Sequence, residues 1–226
     1  MIGILIIFGV FVLISYLVSS TLKARFAKYS REPLRSGLSG REVAEKMLYD
    51  NGINNVKVIS TQGRLTDHYN PVDRTINLSK DVYHGRNIAA AAVAAHECGH
   101  AVQHAKAYSF LKMRSALVPV VSISSRYMQW ILLIGIITVE SFPAILLGGI
   151  VMFGLTTLFS FITLPVEFNA TKRGLVWLEN TGLTSGKEHT YAKDALKWAA
   201  TTYVVAALGS LATLLYYIWI FLGRRS

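Results

Sequence analysis

Apolar residues gather in four long stretches separated by polar, charge-rich segments. Ile2 to Val18 holds no charge over 17 residues, long enough to cross a bilayer at the short end of the range. Residues 117–139 are mostly apolar around Arg126, Ala144 to Leu164 carries no charge, and Ala199 to Leu222 forms the last stretch. Glu140-Ser141-Phe142-Pro143 reads as a tight turn joining the middle two into a helical hairpin. Between the first and second stretches the pattern changes to that of a small soluble unit. Ser39 with Glu42 three residues on forms a capping box. It starts a helix from Gly40 to Asp50 with Val43, Ala44, Met47 and Leu48 on one face, ended by Asn51-Gly52. Val56 to Ile59 is a short strand candidate. Leu65, then Asp67-His68-Tyr69-Asn70-Pro71, then Thr75-Ile76-Asn77-Leu78 reads as strand, turn and strand. A helix follows from Asn87, its N-cap, through Ile-Ala-Ala-Ala-Ala-Val-Ala-Ala at 88–95, to an end near Lys106.

Composition supports the membrane class. Hydrophobic residues make up 52% of the 226, and mean hydropathy is +0.40. The formal charge of +10 would suggest nucleic acid in a soluble protein. Here the basic residues border apolar stretches and no nucleic-acid motif is visible, so they read as topology signals and contacts to anionic lipid. Lys23, Arg25, Lys28, Arg31 and Arg35 follow the first stretch, and no Lys or Arg precedes it. The positive-inside rule therefore puts the N-terminus outside and the next segment in the cytoplasm. The first stretch reads as an uncleaved anchor rather than a signal peptide, having no basic residue before it and no clear A-x-A site after it. Lys172, Arg173, Lys187, Lys193 and Lys197 mark a second cytoplasmic segment, whereas Arg224 and Arg225 would finish outside, against the trend.

The resulting expectation is a mainly α integral membrane protein with about four transmembrane helices and a small α+β unit. Its parts are an anchor at 1–20, a cytoplasmic α+β unit at 36–112, and a transmembrane hairpin at 117–164. A cytoplasmic helix at 165–198 and a final transmembrane helix at 199–222 complete it. The single Cys98 excludes an intramolecular disulfide. The pattern does not specify an oligomeric state.

The chemistry concentrates in His96-Glu97-Cys98-Gly99-His100. Two His four residues apart share one helix face, close enough to bind one Zn²⁺. Glu97, about 100° around the helix, can take a proton from water beside the metal, as in the H-E-x-x-H arrangement of zinc peptidases. Three fixed positions match by chance in roughly one chain in a hundred of this length, and the strongly helix-forming context sharpens the signal. Cys98 points to the far side and reads as a small packing residue.

A catalytic zinc takes three protein ligands, commonly His₂Glu. His104 lies on the same stripe but about 6 Å farther along the helix. His68 and His84 could reach the site only through an unspecified fold. Glu167, just past the third apolar stretch on a helix returning to the catalytic side, fits best; its structural alternative is an ion pair with Lys172 or Arg173. The residues imply one Zn²⁺ per chain on His96, His100 and Glu167, with Glu97 as general base and acid. His68, Tyr69, Arg173, His189 and Tyr191 are candidate oxyanion donors.

His96-Glu-Cys-Gly-His-Ala-Val-Gln-His104, Leu164-Pro-Val-Glu-Phe-Asn-Ala170 and the leading apolar stretch resemble the bacterial neutral zinc metallopeptidases of the YugP-like group, themselves related in pattern to gluzincin membrane peptidases. The resemblance runs from the first stretch to Thr202-Tyr203. It implies a zincin-like catalytic unit, the same zinc residues and role for Glu97, and a membrane-embedded endopeptidase in the bacterial plasma membrane; the positive-inside rule puts its site on the cytoplasmic face. Its substrate would be an unfolded or membrane-associated polypeptide, and a place in membrane-protein quality control follows by analogy. One departure stands out. Related gluzincins place an Asp a few residues after the ligand Glu to orient a ligand His, where this chain has Asn169 and Thr171. The other readings are a scaffold or chaperone-like membrane protein with a structural or vestigial zinc site, and an intramembrane protease. Arg86 and Lys106 closely bracketing the motif, and the lack of an L-D-G partner, weigh against the latter.

Overall fold

The computed structural model describes residues 2–223. Seven helices and three strands follow in the order α1 (Ile2–Tyr29), α2 (Gly40–Asp50), β1 (Lys57–Thr61), β2 (His68–Asn70), β3 (Thr75–Ser79), α3 (Lys80–Tyr83), α4 (Ile88–Ala105), α5 (Ser109–Thr138), α6 (Pro143–Asn180) and α7 (Gly186–Gly223). The protein is a mainly α membrane protein with a small α+β unit, and α1, α5, α6 and α7 are long and apolar enough to cross a bilayer. Arg224 and Arg225, expected outside, lie beyond the described residues.

The long helices outrun their apolar stretches. At 38 residues, α6 and α7 each extend about 57 Å, nearly twice the hydrocarbon thickness. Helix α6 continues through Pro165, and α5 through Pro119. Each proline deletes one helical hydrogen bond without ending its helix.

The chain divides into two units. The first comprises residues up to Leu17, Lys112–Pro165 and from Thr202 onward. Leu132, Val139, Leu146 and Ile150 form its core. The α5–α6 hairpin closes tightly because Gly135 and Gly149 carry no side chain: a Cβ on Gly135 would stand 2.6 Å from the Leu146 Cα. Thr157 and Ser210 join α6 to α7 by a 2.7 Å hydroxyl pair. Phe8, Trp130, Ile137 and Trp219 turn outward and are well exposed, the surface that lipid rather than water would cover.

The second unit comprises Val18–Leu111 and Val166–Thr201. Its sheet has the order β1-β3-β2, with β1 parallel and β2 antiparallel to the central β3. Ile76 and Leu78 of β3 are fully buried with Val43, Ala44 and Met47 of α2 and the alanine face of α4. Helix α2 begins with the expected capping box, Ser39 and Glu42 satisfying each other's backbone N–H groups. Asn87 caps α4 through its Oδ1, which accepts from the Ala90 N–H at 2.9 Å. Several elements differ from the sequence expectation: Leu65 lies in no strand, α3 is an added short helix, and residues 165–198 are the end of α6, a turn and the start of α7 rather than one helix. His68–Asn70, expected as a turn, is the strand β2, and the turn is displaced to residues 71–74. The Asn70-Pro71 signal marks the end of the strand, because the Asn70 side chain folds onto the Val72 and Asp73 N–H groups.

Candidate metal centre

Helix α4 is built to lie against α6. Gly99 leaves room only for the Ala170 backbone, whose Cα would be 2.9 Å from a Cβ at position 99. Gly174 does the same one turn later, where a Cβ would meet the Ala95 carbonyl oxygen at 2.8 Å. Two backbones thus touch through glycines on opposite helices. Glu167, three residues before Ala170, is thereby held against the first and second turns of the histidine face.

The result is a three-residue donor cluster. His96 Nε2 lies 3.4 Å, and His100 Nε2 3.6 Å, from Glu167 Oε2. The two imidazoles meet edge to face, with ring centroids 4.8 Å apart. A tetrahedral zinc with bonds of about 2.0–2.1 Å needs donor atoms roughly 3.3 Å apart; both His–Glu separations match this, all three donor atoms lie within 4.8 Å of one another, and the His₂Glu chemistry suits zinc. Among the described residues, these three form the group able to hold a metal. His104 is not in it. Its Nδ1 is 2.7 Å from the Tyr69 hydroxyl. His68 turns to the Thr66 carbonyl at 2.8 Å, and His84 lies edge-on to Tyr83.

Glu97 is buried beside the cluster, with the Tyr69 backbone of β2 close to its carboxylate. The Tyr69–His104 contact sets β2, the edge strand of the sheet, beside α4. Burial above all, with the charges of Glu167 and Asp67, pushes the Glu97 carboxyl up to about 7, against the opposing effect of His96. A carboxyl so tuned exchanges protons near neutral pH. Cys98 faces away, its Sγ 3.4 Å from the Ala44 carbonyl of α2, and burial pushes its thiol up, so it is an inert packing residue.

Both histidines have partners on their far nitrogens. His96 Nδ1 is 3.1 Å from Thr171 Oγ1, and His100 Nδ1 is 3.1 Å from Gln103 Oε1. Gln103 in turn reaches the Val166 carbonyl at 2.7 Å and Asn169 Oδ1 at 3.1 Å. Thr171 therefore faces His96 directly, and Asn169 reaches His100 through Gln103. Sequence reasoning overlooked Gln103. The available signal was its position three residues after His100, on the same face of α4.

The other candidate oxyanion donors scatter. Arg173 Nε donates to Asn169 Oδ1 at 2.7 Å, His189 pairs with Thr184, and Tyr191 stacks on Tyr29 with centroids 4.7 Å apart. Tyr69 is the one whose backbone lies close to Glu97.

The profile of a family described as "Putative neutral zinc metallopeptidase" matches residues 4–222, nearly the whole chain. The chain belongs to that family. It is also similar to the "Putative membrane protease YugP" of Bacillus subtilis (strain 168), with 41% identity over 212 residues, covering 94% of this chain and 93% of that protein. No solved structure matches. Zinc is the cofactor this metallopeptidase family implies, and the donor set of His96, His100 and Glu167 fits it.

Proposed function

We propose that this chain is a zinc-dependent endopeptidase of the bacterial plasma membrane, with His96, His100 and Glu167 as metal ligands and Glu97 as general base and acid. The observation that carries the reading is the convergence of these four residues from two helices. A structural zinc site would need no buried, non-ligating carboxylate beside it. A bound zinc supplies Lewis acidity, which makes water nucleophilic at neutral pH and polarises the scissile carbonyl. Glu97 takes the proton of the attacking water and delivers it to the departing amine. The outer edge of β2 lies along the same helix, which supports binding of an extended, unfolded polypeptide by strand pairing.

The catalytic unit belongs on the cytoplasmic face, because Lys23, Arg25, Lys28, Arg31 and Arg35, with Lys172, Arg173, Lys187, Lys193 and Lys197, all fall in the second unit with the site. In this arrangement residues 1–20 anchor the chain, 36–112 carry the catalytic helix, and 117–164 form the membrane hairpin. The third ligand lies in 165–198, and 199–222 returns to the membrane. A cytoplasmic site on a membrane anchor suits unfolded or membrane-associated substrates and a role in membrane-protein quality control.

The test is hydrolysis of an unfolded casein-like substrate by the detergent-purified protein. Wild type is expected to cleave, and Glu97→Gln to retain zinc without cleaving. Full activity in Glu97→Gln would overturn the mechanism. Zinc without turnover in the wild type would favour a scaffold.

A further inference from the structure

A chain of hydrogen bonds reaches His100 from a residue that has no choice of role. Arg173 can only donate, and its Nε lies 2.7 Å from Asn169 Oδ1. The Asn169 amide is thereby oriented, with its oxygen toward Arg173. Gln103 approaches that same oxygen at 3.1 Å and the Val166 carbonyl at 2.7 Å, so it must present its NH₂ to both. The opposite flip would set the Gln103 oxygen against two acceptors inside a fully buried side chain. Its Oε1 is left facing His100 Nδ1 at 3.1 Å. An amide oxygen only accepts, so Nδ1 carries the hydrogen. The lone pair then resides on Nε2, the nitrogen that lies 3.6 Å from Glu167 Oε2.

We infer that Gln103 is a positioning residue that fixes the His100 tautomer and ring orientation for metal binding. This rests on His100 being a ligand. His96 has no equivalent lock: its partner, the Thr171 hydroxyl, can donate or accept and rotates to suit. The two ligands are therefore held differently. Gln103 also ties α4 to the first turn of α6 beyond Pro165, so one buried amide sets both the ring and the helix bearing Glu167.

The test uses full-length protein in detergent and Zn²⁺ itself as probe, with affinity read by competition against a chromophoric chelator. Gln103→Met keeps the length but removes both acceptor and donor. It is expected to weaken zinc about 10- to 100-fold, the usual effect of losing such an outer partner. Gln103→Glu keeps the acceptor and is expected to bind zinc within a few-fold of wild type. Metal-free thermal unfolding should fall in both variants, since both lose the donor to Val166. Zinc affinity recovering while stability does not is the mark of positioning. Wild-type affinity in Gln103→Met, or affinity falling in step with stability in both variants, would overturn it. Should the variants fail to fold, ¹⁵N spectra of the metal-free wild type decide: a protonated His100 Nδ1 is expected, and a protonated Nε2 overturns the inference. His100→Ala is the separate control. If it binds zinc as wild type does, the ligand reading has failed, whereas the tautomer still reports on Gln103.

Discussion

Gly99 of α4 lies against the backbone of Ala170 of α6 with no space for a side chain between them. The residue inside the histidine motif is thus a packing element that sets how far the third ligand stands from the first two. Gly99→Ala presents two opposed effects. Alanine in a helix interior is worth about 1 kcal/mol over glycine. The new methyl would meet backbone, which cannot rotate away, and overpacking of this kind costs about 1–3 kcal/mol. The clash is expected to win. Thermal unfolding of Gly99→Ala should move to lower temperature, and zinc uptake should fall with it. A stabilised variant with full zinc would show that the two helices separate without cost.

Thr171 is the partner of His96 on the opposite helix. Thr171→Val preserves shape and removes the hydroxyl. Zinc affinity should drop about 10-fold, with little change in metal-free stability, and Thr171→Ser should restore it. Chelator competition on the three proteins checks this. Equal affinity in all three would mean that the coordinating atoms alone orient His96.

Asp67 gives the fold a defined pH response. Burial raises its carboxyl above the ordinary value, against the bonds it accepts from the Ser79 N–H and hydroxyl. A group whose folded pKa is raised contributes stability that is present below its unfolded pKa, about 3.9, and lost as pH rises through the folded value. Asp67→Asn keeps an acceptor for Ser79 and removes the titration. Metal-free Asp67→Asn should therefore gain melting temperature relative to wild type between pH 4 and pH 7.5. A difference that shrinks over that interval would reverse the assigned sign.

How legible each feature was in the sequence follows the range of the interaction behind it. The Ser39–Glu42 box and the Asn87 cap are formed within one helical turn, so spacing alone reveals them. His96 and His100 converge by helical period in the same way. Glu167 could be suggested because an apolar stretch of membrane length ends just before it. The strand at His68–Asn70 could not be distinguished from a turn, because pairing with Thr75–Asn77 makes it a strand. Gln103 reads as an ordinary helical residue until α6 supplies Val166 and Asn169. The close helix contact was equally hidden, since Gly99 and Gly174 acquire meaning only opposite Ala170 and Ala95.

The central claim is that one zinc ion sits on His96, His100 and Glu167. Zinc per chain, measured on purified wild type and Glu167→Ala side by side, tests it most directly. The account predicts one zinc in the wild type and well below one in Glu167→Ala, with the variant still folded by its helical signal. Equal zinc in both proteins would contradict it.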